Sequence, residues 1–346
     1  MSISPKDIIF ELSKATGPSG AEESVSGIIA GMLCPYGNVF TTSMGNIVCA
    51  SGKLGAPYKI LLDAHMDEIG LIVTSVEDGF VRAAQVGGAD RRVLLAQEVT
   101  IWGKEPVTGV FCTVPPHLSK IGDTDRYPAL DDMMIDTGLG KKAEDIISIG
   151  DRITLKTKPA SLMGNRITGK ALDDRAGVVS LILALDILKD SGHLDDMGIE
   201  ILTMISVQEE TGEKGAKTGA YALDFNEAIA VDVSFADYPA VPETKSGKIG
   251  KGAMIGISPC IDRKIWKKLI HIAKKEDIPY QLEVMGGQTG TNMDEISVSK
   301  LGAPCGLISI PLRNMHTPAE VIDINDVVST AKLIAEYLRS GGLLNE

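Results

Sequence analysis

Residues 58–73 read YKILLDAHMDEIGLIV, a continuous apolar run interrupted by His65 and Asp67 near its middle. An apolar run without polar alternation fits a strand covered on both faces, as parallel strands in α/β proteins are. Polar groups at the end of such a strand stand where open α/β sheets build their sites, beyond the carboxyl ends of the strands.

Similar runs recur downstream. Residues 199–207 (IEILTMISV), 227–235 (EAIAVDVSF) and 305–312 (CGLISIPL) read as buried strands. Helical segments alternate with them: 171–192, opening on ALDDRAG, 263–278 (RKIWKKLIHIAKKEDI) and 323–342, which closes on Gly341 and Gly342. Upstream, Ser4 is a candidate cap with Pro5 just inside a first helix, and residues 21–37 read as a second. Alternation of strand and helix predicts a three-layer α/β/α sandwich with a largely parallel sheet.

Residues 74–166 have another texture. GFVRAAQVGG, EVTIWG, TGVFCTV and DRITLKT are short β-branched runs punctuated by glycine and proline, with one short helix expected in DDMMIDTGLGKKAEDI. We read 74–166 as a small, β-barrel-like domain inserted into a catalytic domain formed by 1–73 and 167–346.

The 346-residue chain accommodates two such domains, and its composition (44% hydrophobic, 23% charged) is that of a globular protein. A net charge of −12 argues against a nucleic-acid partner, since a phosphate backbone calls for a basic surface. No segment is long and apolar enough to predict a membrane span, and the N-terminus lacks the pattern of a secretory signal. Five widely spaced cysteines, with no Cys-x-x-Cys, fit free thiols in a reducing compartment. A soluble, cytoplasmic protein is expected.

Five apolar segments deliver acids or histidines to one edge if their strands are parallel: His65 and Asp67, Asp173 and Asp174, Glu209 and Glu210, Asp232, and His316. Singly, a strand-end histidine is usually a satisfied polar group, and Asp-Asp before a helix is usually a cap. Asp232 is harder to explain in that way, because an unpaired carboxylate inside an apolar strand is costly. Together, two imidazoles and three carboxylates without thiolates suit zinc, cobalt or manganese in a reactive site. Neighbouring side chains diverge, so one of Glu209 and Glu210 can bind metal while the other serves as general base. Asp67, two residues beyond His65, is placed to accept the second imidazole N–H. His117, His193 and His271 sit in ordinary polar surroundings.

LLDAHMDEIGLIV (61–73), GKALDDRAG (169–177), SVQEETGEKGA (206–216), AVDVSFA (230–236) and LISIPLRNMHTPAEV (307–321), with PSGAEE (18–23), closely resemble the glutamyl/deblocking aminopeptidase family of co-catalytic metallopeptidases, which includes tetrahedral aminopeptidases. The resemblance implies two divalent metal ions per subunit, zinc foremost with cobalt or manganese as alternatives. His65, Asp173 and Asp232 would bind one ion, and Asp173, Glu210 and His316 the other. Glu209 would be the base, and Asp67 would tune His65. It further implies peptide substrates, a dimerisation role for the insert, and homo-oligomers ranging from dimers to tetrahedral dodecamers. One departure is visible: where relatives commonly have aspartate after Thr-Gly-Thr, this chain has Asn292.

The expected activity is removal of N-terminal residues from peptides. Some relatives are labelled cellulases, but a glycosidase calls for two opposed carboxyls and usually aromatic platforms, and aromatics are only 4% of this chain. A non-catalytic assembly protein would be expected to lack a ligand or the base, and none is missing. Lys248, Lys251 and Arg313 are the cations that would favour an acidic substrate side chain if they pointed into the site.

Overall fold

The structure is a computed structural model that describes residues 4–118, 127–239 and 241–344. Its centre is an eight-stranded mixed sheet. Four consecutive neighbours, Glu200–Ser206, Lys59–His65, Glu227–Phe235 and Cys305–Leu312, run parallel. The flanks are mixed. Asn38–Thr41 and Ile47–Gly52 add antiparallel strands on one side, while on the other Ala253–Ile257 joins antiparallel and Tyr280–Val284 pairs parallel to it.

The period of two along the strands sorts their side chains into two layers. Ile60, Leu62, Ile201, Ile205, Ile229, Val231, Ile308 and Ile310 face one apolar core, shared with helices Pro5–Lys14, Glu23–Leu33, Leu172–Asp190, Arg263–Lys275 and Ile324–Arg339. Leu61, Leu202, Met204, Ala230 and Leu307 face a thinner core under helices Lys214–Ala222 and Asn292–Ser297. These are the three layers the alternation predicts. Ser4 caps the first helix, accepting from Asp7 N–H at 3.4 Å. The Leu172–Asp190 helix is buried almost all round, which is why its sequence shows little amphipathic contrast.

A closed barrel of six strands stands beside the sandwich, in the order Gly70–Glu77, Phe80–Val86, Met134–Asp136, Pro106–Cys112, Glu98–Trp102 and Arg152–Leu155. It has its own core, including Leu71, Val81, Val99, Ile101, Ile135 and Ile153, each fully buried. Its first strand continues the chain directly from the segment that carries His65 and Asp67. The short helix expected in 131–146 is confined to Ala143–Ile146, and Met134–Asp136 is a barrel strand instead. Gly138 and Gly140, at φ of +68° and +56°, interrupt helical geometry between them. A small separate sheet joins Ala160–Ser161 and Arg166–Gly169 to Glu320–Asp323.

Candidate metal centre

The parallel register brings strand ends level. His65 pairs with Ser206 at the carboxyl ends of adjacent strands, and Asp232 pairs with Ser309 farther along the sheet. The loops that follow supply Glu209, Glu210 and His316, and the kinked start of the Leu172–Asp190 helix supplies Asp173. Two triads result. One ligand atom each from His65, Asp173 and Asp232 lie within 4.8 Å of one another, and so do atoms of Asp173, Glu210 and His316. Asp173 belongs to both. His65 Nε2 is 3.1 Å from its Oδ1, and His316 Nε2 is 3.3 Å from its Oδ2. Glu209 belongs to neither triad, yet its Oε2 is 4.0 Å from His65 Nε2.

His65, Asp173 and Asp232 are almost wholly buried, and His316 is partly exposed at the rim. Such crowding of acids is electrostatically unfavourable. Burial, with Asp173 and Glu209 close by, pushes the Glu210 carboxyl up to about 9. Burial likewise raises Asp232 far above the usual carboxylate range, against the opposing pull of His65. Burial also acts to raise Asp173, but the bonds from His316 and His65 overcome it and hold the carboxyl low. Like charges held this close call for positive charge among them. Oxygen and imidazole donors in two triads with a shared carboxylate fit a pair of divalent cations.

Asp67 faces the second imidazole nitrogen of His65 with both its main chain and its carboxylate. His65 Nδ1 lies 3.1 Å from the main-chain oxygen of Asp67 and 3.5 Å from its carboxylate. The carboxylate also accepts from Glu209 N–H at 3.0 Å and Glu210 N–H at 3.1 Å. The preceding N–H, of Gln208, is bound by Glu22 at 3.2 Å. Gln208 has φ of +54°, so this loop is turned by a left-handed residue held between two carboxylates.

Further residues support the ligands from outside the triads. Gly88, in the barrel half of the chain, offers its carbonyl 3.1 Å from His316 Nδ1, and a Cβ there would lie 2.7 Å from that nitrogen. Behind the site, buried Glu68 accepts from Lys170 Nζ at 2.6–2.7 Å and from Arg175 at 3.2 Å, while Arg175 also bonds the Met66 carbonyl. This tethers the His65 loop to the Asp173 helix. Asn292 donates its amide to Asp63 Oδ2, two residues before His65 on the same strand, and to Ser206 Oγ on the neighbouring strand, both at 2.8 Å. Asp174 is buried with one oxygen on Gly177 N–H at 3.0 Å, which is capping geometry.

The cavity over the two triads is about 450 Å³ and is lined by Gly88, Glu213, Phe235, Thr289, Met315 and the site acids, among others. Lys248, Lys251 and Arg313 are not among its described lining residues. Arg313 instead pairs with Asp237 at 2.7 Å. Among the described residues, no helix is long and apolar enough to cross a membrane.

Comparison with known proteins points to one family. The lysyl aminopeptidase of Pyrococcus furiosus is 30% identical over 341 residues, covering 96% of each chain. The TET aminopeptidase of a marine-sediment thaumarchaeote superposes with a TM-score of 0.91 at 29% identity, over 96% of this chain and 95% of that one. The TET1 peptidase of Pyrococcus horikoshii, which can assemble into a tetrahedron or a large octahedral shell, superposes with a TM-score of 0.83 at 29% identity, over 96% and 98%. Residues 45–333 match the sequence profile of the M42 glutamyl aminopeptidases. The chain belongs to the M42 glutamyl aminopeptidase family, whose members are hydrolases acting on peptide bonds.

Proposed function

We propose that this protein is a two-metal aminopeptidase, with His65, Asp173 and Asp232 holding one divalent cation and Asp173, Glu210 and His316 the other. The observation that carries the reading is the pair of ligand triads meeting on the two oxygens of Asp173. Cations bound there would polarise the scissile carbonyl and make a water molecule acidic near neutral pH.

The chain's own groups do the rest. Glu209, partly buried near His65 and outside both triads, takes a proton from the attacking water on its carboxylate and passes it to the departing amine. Burial raises this carboxyl above its ordinary value, which brings its basicity nearer to that task. Asp67 holds the base and its ligand neighbour by their backbone N–H groups.

Zinc is the first candidate for both positions, with cobalt and manganese as alternatives. The substrates are peptides with a free N-terminus. By analogy with the assemblies of its structural relatives, the chain forms homo-oligomers, and the 74–166 segment is the proposed dimerisation domain. Its five unpaired cysteines suit the reducing cytoplasm.

The test is Glu209→Gln. Metal content by plasma mass spectrometry should stay at the wild-type level while hydrolysis of aminoacyl-p-nitroanilides is lost. Loss of metal in that variant would remove Glu209 from the role of base.

A further inference from the structure

Glu320 is the first residue of strand Glu320–Asp323 and pairs with Gly169, four residues before Asp173. Its side chain is 1% exposed. Its Oε2 accepts from the backbone N–H of Leu172 at 2.7 Å and of Asp173 at 3.3 Å. Its Oε1 accepts from the backbone N–H of His316 at 3.1 Å. One carboxylate therefore grips the main chain of two metal-site residues that lie far apart in sequence.

The chemistry of the grip restricts what could replace it. A carboxylate offers two acceptor oxygens and no donor, so it can satisfy N–H groups on both sides at once. Glutamine would turn an N–H₂ toward one of the two segments and repel its N–H. Aspartate, shorter by a methylene, would reach only one. His316 has φ of +61°, a conformation that side-chain-bearing residues rarely adopt, and the N–H bond to Glu320 helps to hold it there. Asp173 follows Ala171, itself at φ +56°, in the turn that Glu320 also binds.

We propose that Glu320 is a positioning residue that fixes the spacing between Asp173 and His316, and thereby the affinity and geometry of the cation held by Asp173, Glu210 and His316. The proposal rests on the two-cation reading above. Glu320 touches neither substrate nor cation and acts through the two backbone segments. Groups that orient ligands in this way typically change metal affinity by roughly 10–100-fold when altered.

The experiment is a Co²⁺ titration of the metal-stripped full-length protein in competition with a chromophoric chelator, with the visible spectrum of the bound ion recorded. Wild type should take up two equivalents. In Glu320→Gln the weaker equivalent should bind roughly 10–100-fold less tightly and its absorption bands should shift. Glu227→Gln provides the control, because Glu227 is equally buried but bonds Tyr337 and the Leu343 N–H, away from the site. It should match wild type.

Wild type that takes up no Co²⁺ would overturn the two-cation reading and this proposal with it. Wild type that binds two equivalents while a folded Glu320→Gln binds both with equal affinity and spectrum would overturn the role of Glu320 alone. If Glu320→Gln does not fold, Glu320→Asp carries the same test. Failure of both to fold would make Glu320 a purely structural carboxylate and end the proposal.

Discussion

The carboxylate of Asp67 lies 3.0 Å from the backbone N–H of Glu209, the proposed base, and its second oxygen binds the next N–H at 3.1 Å. The base is thus held through its main chain by a residue that lies just beyond His65 on another strand. Asp67→Asn keeps the size but turns an amide N–H₂ toward one of these donors. We expect kcat to fall roughly 10–100-fold, the scale of losses when ligand-orienting groups are changed, with metal stoichiometry retained. Steady-state kinetics alongside metal analysis would check this, and unchanged kcat would remove Asp67 from the machinery.

Gly88→Ala should act on His316 without touching the sandwich core. The added methyl would sit 2.7 Å from Nδ1, closer than real Cβ contacts, and a tight 3.1 Å from Cε1, so the ring must move. The expected outcome is weaker metal retention under chelator challenge and a matching fall in activity. The thermal midpoint of the metal-free protein should shift little, because His316 lies at the rim rather than in a packed core.

Asn292 is the position where this chain departs from the pattern it resembles. Burial pushes the neighbouring Asp63 carboxyl up to about 7, against the bonds from Asn292 and Ser206 that favour its charged form. Asn292→Asp would replace a donor by a second carboxyl, and the pair would have to share a proton. Its folded pKa would then exceed the unfolded value of about 3.9, so its stabilising contribution would be present below that value and lost as pH rises through the raised pKa. In urea melts of the metal-free proteins, the variant should approach wild type near pH 5 and fall below it at pH 8 by about 1–3 kcal/mol. A deficit independent of pH would refute the shared proton.

The thiols should divide sharply in reactivity. Burial pushes Cys305 up to about 12 and Cys49 up to about 11, whereas Cys34 and Cys260 are exposed. Ellman's reagent at pH 8 should modify Cys34 and Cys260 in the native protein, and Cys49 and Cys305 only after denaturation. Peptide mapping would assign them.

The central strands were legible because each is an apolar run, and most candidate ligands were legible because a polar group interrupts or follows such a run, Asp173 at a helix entrance being the exception. Strand 227–235 was readable to the residue. The flanking strands Asn38–Thr41 and Tyr280–Val284 were not, since half-exposed strands mix polar and apolar residues without a clear period. Helix Asn292–Ser297 is too short to show a period of 3.6. At the site, pattern reading reaches residues that act through their own side chains toward the centre. It could not find Gly88, Glu22 or Glu320, which act on backbone or ring atoms up to 228 positions away in sequence. Asp67 shows the same limit: its spacing from His65 places it beside the imidazole, but gives no sign of the backbone N–H groups of Glu209 and Glu210 that its carboxylate also binds.

The Gly88 carbonyl gives the barrel a second part to play. A unit with its own closed core would ordinarily be exchangeable between homologues like a cassette, changing assembly while sparing chemistry. Here the strand Phe80–Val86 runs on into the Gly87–Gly88 pair that packs against Glu210 and His316. A graft that alters this corner would retune the reaction centre along with the surface, so chimaeras of this architecture should place their junctions beyond residue 90.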